Sequence, residues 1–200
     1  MEREIHALKA ELSDYLHQAS GVYEVDLALE NGLQLIGNIP NRFGAEIVQW
    51  RAGKLRDQDI IKSWIYWLCL CAKGDISQLS FYYREGQQAG RLTFCPIEAE
   101  QAGRLLQIFA QDYLCSFSQL KWALNQQISL YFKGIKVDEE ATSVAEKCQK
   151  AIESSAAYNP YLIRVLQQMP EMDWNAVHET TVSWFKLMYD SQQLTEINME

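Results

Sequence analysis

Between Tyr23 and Ile39 the chain leaves a helical period for a period of two, and this switch constrains the fold more than any other feature. Tyr23, Val25, Leu27 and Leu29 alternate with Glu24, Asp26 and Ala28, the pattern of a half-buried strand whose side chains point to opposite faces in turn. Glu30-Asn31-Gly32 supplies hairpin-turn chemistry, and Leu33, Leu35, Gly37 and Ile39 continue the alternation on the return strand. After a turn expected at Asn41 to Gly44, a third strand is predicted from Glu46 to Arg51. Ahead of this meander, Ile5, Leu8, Leu12, Tyr15 and Leu16 recur at helical spacing, with Ser20-Gly21 as the stop. Behind it, Leu55 to Lys73 lacks Gly and Pro, carries Asp57 and Asp59 where a helix dipole favours acids, and ends at Lys73-Gly74. Apolar residues nearly encircle that second helix, which predicts burial on most of its sides.

A hairpin is expected next, with strands near Gln78 to Tyr83 and Arg91 to Cys95 joined through Glu85 to Gly90. The remainder reads as mainly helical, over Glu98 to Tyr113, Glu139 to Ser154, Pro160 to Gln168 and Asp173 to Tyr189, with Asp173 as an N-cap. Lys121 to Phe132 fits neither period clearly. The fold class is therefore α/β (α+β), with a core over residues 1–134, a helical extension over 135–200 packed on it, and a boundary near Lys133-Gly134 inside one folding unit.

Charge narrows the function. The formal net charge of -8 opposes a domain that wraps nucleic acid unaided, because such binding comes mostly from Lys and Arg neutralising phosphates. Arg51, Lys54 and Arg56 form the one compact basic cluster; it is either a solvated loop leading into a helix or a local contact to DNA or a partner. The five cysteines are an odd number, and all but Cys148 lie in apolar surroundings that suggest small buried hydrophobes rather than a disulfide framework. Cys69-x-Cys71 has no second pair and no nearby His to complete a zinc site. The longest apolar run, Trp64 to Ala72, is too short to cross a bilayer, and the first residues carry no secretory pattern, so a cytoplasmic protein with no membrane contact is expected. Neither a cofactor nor a small-molecule ligand is expected.

Helix, three-stranded meander and helix is the order used by restriction-endonuclease-like (PD-(D/E)XK-type) nucleases, and the chain resembles the branch found in bacterial recombination helicase-nucleases. Active members carry Gly-x-Ile-Asp on the second strand and apolar-Asp-x-Lys on the third. Here the corresponding runs are Gly37-Asn38-Ile39-Pro40 and Ile47-Val48-Gln49-Trp50-Arg51. The resemblance thus places Pro40 at the first metal-binding Asp, Gln49 at the second carboxylate and Arg51 at the catalytic Lys. Proline offers no ligand, a neutral amide substitutes poorly for a carboxylate, and Arg does not exchange a proton as Lys can. Active relatives also tend to carry Gln-x-x-x-Tyr on the following helix, whereas Gln58 is followed by Lys62. Some place a metal-ligating His on the opening helix; His6 has no carboxylates to join and is expected to be a surface or capping residue.

A narrower resemblance is to the RecC family, the gamma subunits of exodeoxyribonuclease V. Val48-Gln49-Trp50-Arg51-Ala52-Gly53, Ile61 to Leu68 and Cys71-Ala72-Lys73-Gly74 look like that family's Arg-Trp-Arg-Pro stretch, Leu-Trp-Leu helix and Cys-Ala-Ser-Gly ending. Asn159 to Val165 and Trp184 to Met188 resemble segments of its tail. The likeness runs in order along nearly the whole chain, strongest from Tyr23 to Gly74 and weakest between Cys115 and Glu139. It implies a core with a degenerate nuclease site and C-terminal helices, in a subunit that joins RecB-like and RecD-like partners and meets DNA through the assembled complex in double-strand-break repair. It also implies a longer subunit, of which Met1 is an internal cut. Two other functions stay open: a divergent metal-dependent nuclease with displaced ligands among Glu24, Asp26 and Glu46, and an acidic protein-interaction module unrelated to DNA repair. Glu24 and Asp26 also fit the plain polar face of an alternating strand.

Overall fold

The alternation at residues 23–39 produces β1 (Gly21–Ala28) and β2 (Gln34–Phe43), an antiparallel ribbon closed by a 3-10 turn at Glu30–Gly32. Asn31 and Gly32 adopt positive φ of 59° and 73°, and Leu29 N–H donates to the Leu33 carbonyl at 2.8 Å. The computed structural model describes residues 2–74, 78–86, 88–118, 123, 128–135, 140–156, 159–168 and 172–197. Register places Tyr23 opposite Ile39 and Val25 opposite Gly37 on the inner face, where Tyr23, Val25 and Ile39 are buried. The turn expected at Asn41 to Gly44 contracts to Gly44-Ala45, and β2 runs on to Phe43. Asn41 makes this continuation feasible: it is the extra residue of a bulge between the Gly21/Arg42 and Val22/Pro40 pairs, with φ of 62°, a left-handed conformation that Asn tolerates.

β3 (Glu46–Trp50) pairs with the end of β2 and then lies parallel to β4 (Gln78–Glu85), Val48 facing Ser80. A parallel neighbour requires a crossover, and α3 (Asp57–Lys73) supplies it. Asp59 accepts from Arg56 N–H at 3.2 Å at the start of α3, and Gly74 ends the helix in the left-handed region, φ 65°. β5 (Gln88–Phe94) returns antiparallel to β4. A Cβ on Gly90 would stand 2.4 Å from the Tyr83 ring, so only glycine lets that buried ring cross its strand neighbour. The sheet is completed to six strands, in the order β1-β2-β3-β4-β5-β6, by β6 (Gln192–Ile197), antiparallel to β5. That strand lies in the tail expected to be helical. Its sequence, Gln-Gln-Leu-Thr-Glu-Ile, has no period-two pattern, because an edge strand with four consecutive exposed residues has little to bury.

α1 (Glu2–Glu11) and α2 (Ser13–Leu16) lie on one face of the sheet, where Leu8 and Leu12 pack with Val48 and Tyr82, flanked by Tyr15, Phe43 and Ile197. α3 carries Trp64, whose ring meets Phe94 at 5.3 Å on the other face. The helices that follow are α4 (Ala99–Cys115), α5 (Ile128–Gly134), α6 (Ala141–Ala156), α7 (Pro160–Gln168) and α8 (Trp174–Ser191). Asp173 caps α8 as expected, its Oδ1 accepting from Asn175 and Ala176 N–H at 3.0 and 3.1 Å. Of the ambiguous stretch Lys121 to Phe132, the part from Ile128 onward is helical, and most of the rest lies outside the described residues.

By internal packing the chain divides into Met1–Ala110 with Ser191–Glu200, and Gln111–Asp190; Lys133-Gly134 ends α5 within the second unit. In that unit Tyr131 of α5 hydrogen-bonds His178 Nδ1 of α8 at 2.6 Å, and the fully buried Cys148 of α6 shares the Tyr131 hydroxyl. Cys148 was the one cysteine expected outside an apolar setting; it lies between Val144 and Ile152 at i±4 on the buried stripe of α6, while Cys115, at the end of α4, is exposed. Burial pushes the His178 imidazole below its ordinary value of 6.5. The unfolded chain therefore takes up this proton first on acidification, so the contribution of His178 to stability is complete above about pH 6.5 and is lost as pH falls through the lower folded value. Urea midpoints measured at pH 7.5 and 5.5 are expected to drop more for the wild type than for His178→Gln; equal drops would refute this linkage.

Candidate functional site

β2 and β3 pair only through Arg42/Ile47 and Phe43/Glu46, then separate at Pro40. The cause is local. The N–H and C=O of a strand residue point toward the same edge, so at Pro40 the edge facing β3 offers an acceptor and no donor. Gln49 fills the gap with its side chain: Nε2 donates to the Pro40 carbonyl at 2.9 Å, and the residue is 7% exposed. Two of the three positions singled out in the sequence therefore meet, through the Pro40 main chain. The Pro40 ring itself, paired across from the exposed Val22, belongs to the outer face of the ribbon.

Arg51 follows Gln49 by two residues and shares its face. Its N–H donates to Tyr82 O at 2.9 Å, and its Nη1 reaches Asp59 Oδ2 at 3.3 Å, joining the end of β3 to the first turn of α3. The side chain folds back over Gly53, where a Cβ would come within 3.2 Å of Arg51 Nε. Lys54 and Arg56 are exposed and Arg51 is half-buried, so the basic cluster of the sequence separates into one internal ion pair and two solvated cations. The sequence marked Asp59 only as a helix-start acid and Gly53 only as part of a family-like run; their contacts with Arg51 were not legible, because a contact spanning eight residues through a loop has no periodicity. Trp50, marked in the sequence only as part of the family-like run, is 39% exposed beside this loop.

The carboxylates weighed as displaced ligands lie elsewhere. Glu46 is on the opposite face of β3 from Gln49 and Arg51, with both oxygens engaged: Tyr15 OH donates to Oε2 at 2.8 Å and Ser80 OH to Oε1 at 2.9 Å. Arg91 donates to Ser80 Oγ at 2.8 Å and stands 3.8 Å from Glu46. Burial and the neighbouring Glu46 carboxylate raise the Tyr15 phenol well above its ordinary range. Glu24 and Asp26 are exposed on β1, Asp26 accepting from Gln34 Nε2 at 2.7 Å. Cys69 and Cys71 are buried in α3, where desolvation pushes the Cys69 thiol up to about 12 and raises Cys71 as well. His6 is exposed. Among the described residues, no three His, Cys, Asp or Glu side chains gather closely enough to hold a metal ion, and no helix is long and apolar enough to cross a membrane.

Comparison with known proteins adds two findings. The family model described as the RecC C-terminal domain matches residues 1–131. RecBCD enzyme subunit RecC of Haemophilus influenzae is 31% identical over 176 residues, which cover 82% of this chain and 15% of that protein. The chain thus spans a small part of the length of the curated relative it matches. The first match takes in the opening helix, the β2/β3 fork, the crossover helix and the β4–β5 hairpin, and on that ground the chain belongs to the RecC C-terminal domain family.

Proposed function

We propose that this chain is a non-catalytic, pseudo-nuclease domain of an exodeoxyribonuclease V gamma subunit, acting in DNA-end processing and double-strand-break repair as a structural partner of RecB-like and RecD-like subunits. In this proposal the sheet, its opening helix and the crossover α3 are a restriction-endonuclease-like scaffold, and DNA is reached through the assembled complex. The observation that carries it is the state of the β2/β3 fork. Where an active member would present two carboxylates and a lysine to a hydrated cation, Gln49 is turned to the Pro40 carbonyl and Arg51 is tied to Asp59. An amide and a guanidinium held by protein partners provide neither the anionic oxygens that Mg²⁺ requires nor a group that exchanges a proton near neutral pH. The net charge of -8 fits a domain that depends on its partners for nucleic-acid contact.

The test is a nuclease assay on linear duplex and single-stranded DNA with Mg²⁺ or Mn²⁺ titrated in. No metal-dependent cleavage is expected. Cleavage that requires the metal and disappears in a Glu24→Gln/Asp26→Asn/Glu46→Gln variant would overturn the proposal and establish a divergent nuclease.

A further inference from the structure

The β1–β2 ribbon buries only one of its faces. On the other, Val22, Glu24, Asp26 and Ala28 stand opposite Pro40, Asn38, Ile36 and Gln34, and all eight are exposed. Ile36 is 70% exposed and Val22, beside the bulge, 54%, although both lie in paired strand, where a large aliphatic side chain normally gains its stability from a covered neighbour. The charged side chains of the ribbon's own outer face are acidic. Glu24 and Asp26 stand on this face and Glu30 at its turn, while Arg42 and Lys73 lie 5.7 Å and 5.2 Å from the centre of the Tyr23 ring, which belongs to the inner face. Lys73 also donates to the Glu24 carbonyl at 3.2 Å, which engages one main-chain acceptor of this edge strand.

We infer that this outer ribbon face, Ile36 and Val22 set among Glu24 and Asp26, docks a protein surface that carries lysine or arginine around an apolar pocket. An acidic face repels phosphates and anionic lipid, which separates a protein occupant from DNA or a membrane. Aliphatic anchors ringed by charge match interfaces in which apolar burial supplies residence time and the rim supplies steering and register. The occupant is a partner subunit; this step rests on the subunit assignment proposed above.

The experiment measures binding of the 200-residue chain to purified RecB-like and RecD-like subunits from the same genome, at low and at moderate salt. The wild type is expected to bind, more weakly as salt rises. Ile36→Lys and the pair Glu24→Lys/Asp26→Lys are expected to weaken binding at least tenfold with unchanged circular dichroism and melting temperature, whereas Glu153→Lys, an exposed change in the second unit, leaves it intact. Unaltered binding by both ribbon variants overturns the docking face and leaves the subunit assignment standing. Failure of the wild type to bind either subunit overturns that assignment and this inference together. A wild-type dimer that both variants abolish, or DNA binding that both variants alter, assigns the face to a second copy or to nucleic acid and overturns the inference as well.

Discussion

A Trp64→Ala variant is expected to be less stable by about 4 kcal/mol, read from the urea midpoint, and Trp64→Phe by less than about 2 kcal/mol. Trp64 has no solvent exposure and its ring packs against Phe94, so truncation to Ala removes the largest fully buried side chain between the crossover helix and the sheet and leaves a void in a close-packed interior. Phenylalanine keeps most of that contact. It also discards an indole N–H that is buried with no hydrogen-bond partner among the described residues, so no hydrogen bond is lost in the exchange. A Phe variant as damaged as the Ala variant would show that the indole N–H is satisfied in solution.

The second large effect is expected at Glu46. Replacing it with Ala removes the acceptor for both Tyr15 and Ser80 and leaves Arg91 against a serine with nowhere to donate, at a cost of about 3 kcal/mol. Glu46→Gln keeps one oxygen acceptor and is expected to cost about 1 kcal/mol. Because Tyr15 ties α2 to β3, amide exchange in α1 and α2 should accelerate in the Ala variant well before exchange in β4 does. Uniform acceleration along the chain would mean that the loss is global and that Glu46 does not specifically anchor the opening helices.

The β2/β3 fork and the outer ribbon face have a common origin in Pro40 and the bulge beside it. A proline on the β3 side of β2 ends the ladder there, and the extra residue Asn41 realigns β2 so that its last two residues, Arg42 and Phe43, can still pair with β3. The ribbon beyond Pro40 is left paired to β1 alone. An Asp at position 40 would keep its N–H and could continue the ladder; the proline thus alters strand pairing as well as removing a ligand.

Local chemistry made much of the fold legible in the sequence. The period-two runs defined β1 and β2, Asn31-Gly32 their turn, the acids and Gly74 the ends of α3, and Asp173 the start of α8, because each of these signals acts within about one helical turn or one strand repeat. The family pattern likewise marked Pro40, Gln49 and Arg51 as positions of interest. Four features belonged to the tertiary structure alone: the parallel pairing of β3 with β4, the sixth strand from the tail, the Arg51–Asp59 pair and the Glu46–Tyr15–Ser80 network. β6 is a strand because β5 presents it a row of unpaired backbone groups, a stabilisation that leaves no periodicity in Gln-Gln-Leu-Thr-Glu-Ile. The two polar networks join residues 8 to 34 positions apart, and their members come within hydrogen-bonding distance only after strand register has decided which face each side chain shares. Sequence determined which residues could bond; register and crossover decided which of them do.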